Sequence, residues 1–197
     1  TLSIDYRVAP KNPFPAALED AVAAYKWLLA TGYEGKDIIV AGDSAGGGLS
    51  LALGQFLRDN DMLLPAGFVL MSPWTDLTAS GVSYEENYTL DPMFGNTRES
   101  MIYSGEYLGG YSPKEPYISP LFGDFSKLPP MLFQVGGIEM LLSDSISAEK
   151  KAREAGCKTN ITIYEEMFHV FQMGLDKLEE SKEAWEEVKR FVEDFAE

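Results

Sequence analysis

A short apolar run, Ile38-Ile39-Val40, ends abruptly in Gly42-Asp43-Ser44-Ala45-Gly46-Gly47, and a helix-forming stretch follows from Leu49 to Arg58. Strand, Gly-x-Ser-x-Gly turn and helix in that order form the pattern of a nucleophile elbow. A turn this tight forces the serine into a sparsely populated backbone conformation, and glycine on both flanks removes Cβ atoms expected to clash. Ser44 Oγ is then expected to stand clear of the sheet. The amide that follows it, on Ala45, opens a helix and is a candidate oxyanion donor. The plainer alternative is a glycine-rich strand-to-helix turn that binds phosphate. No Gly-Lys-Ser/Thr follows, so it is not a P-loop.

The rest of the chain repeats this alternation. The apolar pattern predicts strands at Leu2 to Tyr6, Ile38 to Gly42, Gly67 to Ser72, Met131 to Val135 and Ile161 to Tyr164. It predicts helices at Ala16 to Ala30, Gly46 to Arg58, Ser143 to Ala155 and Leu178 to Phe195. The first helix carries a stripe of Ala17, Leu18, Ala21, Tyr25 and Leu28 or Leu29; the last carries Trp185, Val188, Phe191, Val192 and Phe195. Strands alternating with helices give an α/β chain, a mostly parallel sheet with helices on both faces. Residues 73 to 128 break the pattern, with one further helix expected around Thr97 to Tyr107. That stretch is too long for a simple connection and reads as a lid or pocket-forming insertion in a single domain spanning 1–197.

Composition limits the partners. Among 197 residues, 31 acidic against 16 basic side chains give a net charge of −15, which repels phosphate backbones and anionic lipid. Nucleic acid is therefore not an expected partner, and no apolar run is long enough for a membrane span. Cys157 is the one cysteine, so no internal disulfide or thiolate metal cluster is expected, and a reducing cytoplasm fits. The opening Thr1-Leu2-Ser3-Ile4-Asp5 lacks an initiator methionine and begins on a strand-like alternation, as expected of part of a longer fold.

A serine hydroxyl needs a base to become a nucleophile. The chain contains one histidine, His169, just past the last predicted strand, where open parallel sheets carry their chemistry. A third member, a carboxylate, is expected after the Met131 strand, in the order serine, acid, histidine. Glu139 and Asp144 both qualify. Glu139 follows the Gly136-Gly137 turn directly and is preferred, because Asp144 falls in the first turn of a helix, where the dipole alone accounts for it. The acid would hold the imidazole tautomer and stabilise the imidazolium without taking its proton.

These residues resemble the hormone-sensitive-lipase-like α/β-hydrolases, a family of bacterial carboxylesterases. Asp5-Tyr6-Arg7-Val8-Ala9-Pro10 with Phe14-Pro15-Ala16-Ala17-Leu18-Glu19-Asp20 is similar to the family's segment ahead of the nucleophile strand. Asp43-Ser44-Ala45-Gly46-Gly47, Ser72-Pro73-Trp74-Thr75-Asp76-Leu77-Thr78, Leu128-Pro129-Pro130 and His169-Val170-Phe171 add to the match. Two departures stand out. The family commonly places Asp in an Asp-Pro-Leu context where this chain has Glu139-Met140-Leu141. Its His-Gly-Gly-Gly loop, which supplies most oxyanion donors, does not occur in these residues, leaving Ala45. The resemblance implies that the strand bearing that loop lies between the Leu2 and Ile38 strands, so its slot in the sheet is expected to be vacant.

The resemblance implies hydrolysis of short-chain acyl esters without metal or organic cofactor. Tyr84, Tyr88, Phe94 and Tyr103 are candidate linings of an acyl pocket, with plain core packing the commoner role for any one of them. Asp43 and Asp76 are expected to be structural. A rival from another class is a non-catalytic or catalytically impaired domain. It would use the vacant groove for self-association or for the missing N-terminal segment.

Overall fold

The computed structural model describes residues 1–95 and 105–195. Four strands form one parallel sheet in the order β1-β2-β3-β4: β1 Ile39–Asp43, β2 Gly67–Met71, β3 Met131–Gly136 and β4 Thr159–Tyr164. The helices are α1 Ala16–Ala30, α2 Ala45–Asp59, α3 Ser83–Glu86, α4 Gly105–Leu108, α5 Leu142–Glu154 and α6 Glu179–Glu193, with a 3₁₀ segment at Phe171–Lys177.

Strand position explains strand composition. β2 and β3 lie in the middle and every residue of both is buried, so β2 reads as an unbroken apolar run and β3 is interrupted only by Gln134, whose amide donates to Ala184 O. On one face Phe68, Leu70, Met131 and Phe133 pack with Leu51 of α2 and Ala148 and Ala152 of α5. Each phenylalanine there is fully buried, worth about 1.5–3 kcal/mol relative to exposure. On the other face Val69, Met71 and Leu132 meet Val188 and Phe191 of α6. α1 lies outside α2, burying Ala17, Leu18, Ala21 and Tyr25 as its stripe predicts.

Two expectations need correction. Leu2 to Tyr6 is not a strand: it is unpaired, and Leu2 and Ile4 are exposed. Alternation specifies which face a strand would bury, but a ladder also needs a neighbour, and among the described residues β1 is the sheet edge, paired with β2. Arg7 instead ties this segment to α1, its main-chain N–H and its guanidinium both bonding Asp20. On α6 the buried positions are Ser181 and Ala184, with Trp185 and Val192 about 40% exposed. The inward face is thus rotated toward Val188 and Phe191. The helix expected around Thr97 falls largely outside the described residues; Gly105–Leu108 is helical.

The described parts of 73–128 pack into the body. Tyr84 is fully buried, and Ile118, Phe125 and Leu128 belong to the core. Among the described residues no helix is long and apolar enough to cross a membrane.

Candidate active site

All four strands run the same way, so their C-terminal ends share one edge of the sheet. Ser44 follows β1, Ser72 follows β2, Glu139 follows β3 and His169 follows β4. In open α/β sheets ligands bind at this edge.

Ser44 has φ 52° and ψ −122°, a conformation that costs a non-glycine residue about 1–3 kcal/mol and needs support. The support is local. Ser44 N–H donates to Met71 O at 2.9 Å, and Ser44 O accepts from Trp74 N–H at 2.9 Å. Both bonds tie the elbow to the end of β2. The flanking glycines are not equivalent: a Cβ on Gly42 would land on the Gly46 carbonyl, whereas one on Gly46 would meet open space. Crowding falls instead on Gly47 and Gly48, which abut Pro73 and Trp74. Accordingly Gly42→Ala is expected to lose roughly 3 kcal/mol or more of stability. Gly46→Ala should stay within about 1 kcal/mol of the parent. Urea denaturation midpoints of the two variants check this.

His169 is 5% exposed and Glu139 not at all. His169 Nδ1 lies 3.4 Å from Glu139 Oε1. Glu139 Oε2 accepts from Ser72 Oγ at 2.8 Å and from Gly136 N–H at 3.1 Å, so the buried carboxylate is hydrogen-bonded at both oxygens. The Phe94 ring meets the His169 imidazole edge-on, centroids 4.6 Å apart.

Asp144 is held elsewhere. Its Oδ2 accepts from the N–H groups of Thr75 and Asp76 at 2.7 and 2.8 Å, while Oδ1 is buried without a partner. Burial pushes its pKa up to about 8, against the opposing pull of those two bonds. Of the two acids left open by the sequence, Glu139 is the one that the fold brings to His169. Asp76 is buried and receives bonds from the N–H groups of Thr78 and Ser80, the structural part expected of it. Asp43 is exposed; its charge, after burial, helps to raise the Tyr6 phenol above its usual range.

The loop carrying Glu139 is bracketed by the stretch that follows β2. Asn87 Nδ2 donates to the carbonyls of Gly137 and Glu139 at 3.1 and 2.8 Å. Met140 N–H donates to Asp91 Oδ2 at 2.8 Å, and Ser83 Oγ donates to Met140 O at 2.6 Å. Sequence reading missed all of these. Their signal, polar residues in an irregular stretch, is shared with any surface loop.

Beside the elbow lies a cavity of about 200 Å³, lined mainly by apolar surface that includes Tyr6, Ala45, Leu49, Trp74, Tyr107 and Tyr117. The aromatics proposed as an acyl lining are not among its walls. Tyr84 is core, Tyr88 packs near Met140 and Leu141, Phe94 covers His169, and Tyr103 lies outside the described residues. Among the described residues no three metal-ligating side chains converge.

A family model described as alpha/beta hydrolase fold matches residues 1–173. The chain is a member of that family. The chain is 40% identical over 191 residues to an acetyl-hydrolase of Streptomyces hygroscopicus, covering 97% of this chain and 64% of that one. It is 36% identical over 191 residues to an esterase of Acinetobacter venetianus, covering 97% and 63% respectively. A crystal structure of an esterase from the bacterial hormone-sensitive lipase family superposes with a TM-score of 0.92 at 44% identity, over 95% of this chain and 63% of that one. The likeness to hormone-sensitive-lipase-like hydrolases is thereby borne out. The chain spans a little under two thirds of the length of these relatives.

Proposed function

We propose that this chain is part of a serine carboxylesterase that hydrolyses short-chain acyl esters through Ser44, His169 and Glu139. The observation that carries the reading is the approach of Glu139 Oε1 to His169 Nδ1 at the same strand edge as a serine in elbow conformation. His169 takes the Ser44 proton as Oγ attacks the acyl carbon, forming a tetrahedral oxyanion. The protonated imidazole then gives that proton to the departing alkoxide, leaving an acyl-serine and free alcohol. Water, deprotonated by His169, attacks the acyl-serine; collapse releases the carboxylic acid and returns the proton to Ser44. Glu139 holds the imidazole with its Nδ1–H toward the carboxylate without taking its proton. The acetyl-hydrolase and esterase names of the relatives support an ester substrate, and a 200 Å³ cavity beside Ala45 suits a small acyl or alkoxy group.

Ala45 N–H, the first amide of α2, is the oxyanion donor within these residues. An oxyanion donor of this kind contributes about a hundredfold or more in rate, and hydrolysis is expected to depend on Ser44. Hydrolysis of p-nitrophenyl butyrate is the test, with Ser44→Ala as control. The control should fall to the background rate and should also fail to take up a fluorophosphonate label. Equal rates for the two proteins would sink the proposal.

The unpaired outer edge of β1, with Ala41 exposed, favours one second reading: a domain that captures a strand there and does no chemistry. That reading predicts a concentration-dependent dimer on size exclusion and no labelling of Ser44.

A further inference from the structure

Ser72 is fully buried and is the first residue past β2, with a left-handed φ of 47°. Its main-chain N–H donates to Gln134 O at 2.7 Å, which fixes its height against β3. Its hydroxyl has two partners. It donates to Glu139 Oε2 at 2.8 Å and accepts from Val170 N–H at 3.1 Å. Val170, the residue after His169, is β-branched and also left-handed, at φ 52°. One hydroxyl therefore joins the side chain of the acid to the strained backbone that carries the histidine.

The other bonds that bracket the acid loop end on its backbone: Asn87 on two carbonyls, Asp91 on Met140 N–H, Ser83 on Met140 O. Ser72 instead bonds the Glu139 carboxylate itself. Glutamate has one more rotatable bond than aspartate, so fixing its loop does not fix its carboxylate. With Oε2 held by Ser72 Oγ and Gly136 N–H, Oε1 is the oxygen turned to Nδ1.

We propose that Ser72 is a positioning residue for the Glu139–His169 pair: its hydroxyl fixes which carboxylate oxygen meets the imidazole and clamps the backbone that presents that imidazole. The proposal rests on the triad reading above, and its test separates the two. His169 is the one histidine in the chain, so histidine-selective ¹⁵N NMR reports on this ring without assignment. In the parent protein the Nδ1–H proton is expected downfield of a solvent-exposed imidazole N–H, as a proton donated to a carboxylate. Glu139→Gln should abolish that resonance. Ser72→Gly suits the left-handed backbone, and Ser72→Ala keeps the Cβ; both remove the hydroxyl. Each should shift the resonance upfield or broaden it into exchange, and lower kcat about tenfold with KM little changed. Ser72→Cys, a weaker donor of similar size, should fall between.

A parent-like resonance and kcat in either folded truncation would overturn the proposal while leaving the triad standing. A resonance unmoved by Glu139→Gln would overturn the triad, and Ser72's role with it. Amide spectra establish folding. If both truncations unfold, Ser72→Cys decides: a resonance identical to the parent's overturns the proposal, and a weakened one supports it.

Discussion

Glu139→Gln is expected to lower kcat for p-nitrophenyl butyrate by roughly three to four orders of magnitude while leaving a folded protein. The size of the effect follows from the bonds at the carboxylate. Oε2 receives Gly136 N–H and the Ser72 hydroxyl, both donors, so an amide at this position keeps its oxygen there. Its NH₂ group must then face His169 Nδ1, where Glu139 Oε1 now lies at 3.4 Å. A donor facing Nδ1 forces the proton onto Nε2, the nitrogen that must accept the serine proton. The base is then in the wrong tautomer although every atom is nearly in place. Steady-state kinetics and thermal denaturation together check it. A large fall in kcat with an equally large fall in Tm would point to lost folding instead.

The second large effect is on stability, through Asp144. Its carboxyl loses its proton only near pH 8 in the folded protein, against the usual value of 3.8. Between those limits the folded state holds one proton that the unfolded state has released. Stability from this group is therefore complete below about pH 4 and is lost as pH rises, by about 1.4 kcal/mol per pH unit through the window, ending near pH 8. Asp144→Asn does not titrate and retains an oxygen for the amides of Thr75 and Asp76. The difference between parent and variant should thus move in the variant's favour from pH 5 to pH 9. Urea denaturation at several pH values measures it, and subtraction removes the contribution of the other carboxylates. A difference that stays flat with pH would mean that Asp144 is ionised throughout.

The sequence made some parts of this molecule plain for reasons specific to each. The elbow was legible because strand, Gly-x-Ser-x-Gly and helix are adjacent in the chain, and the turn that strains Ser44 is built from its own neighbours. β2 was legible because burial on both faces leaves only apolar residues, and β3 because Gln134 alone interrupts the same pattern. The acid was legible only to within two candidates. Glu139 and Asp144 are five positions apart and both buried, and what separates them is whether His169 or the Thr75 and Asp76 amides stand opposite. The cavity walls were missed because Tyr6, Tyr107 and Tyr117 come from segments about a hundred residues apart. Leu2 to Tyr6 misled because a strand pattern encodes a face and leaves the partner unspecified. Ser72 was seen only as part of a motif: its weight lies in two hydrogen bonds to residues 67 and 98 positions away.

The turn after β2 has a bearing on how such a site can diverge. Met71 O and Trp74 N–H hold the Ser44 backbone, and Ser72 Oγ meets both the Glu139 carboxylate and the amide behind His169. Three of four consecutive residues therefore hold Ser44, Glu139 and the residue that follows His169, and a change in their path would disturb the three together. The cavity walls at Tyr107, Tyr117 and Ile118 belong to a different stretch of chain. A lineage, or a library, that varies those walls can reshape the cavity while the proposed triad keeps its alignment. Altering Met71 to Trp74 offers no such separation.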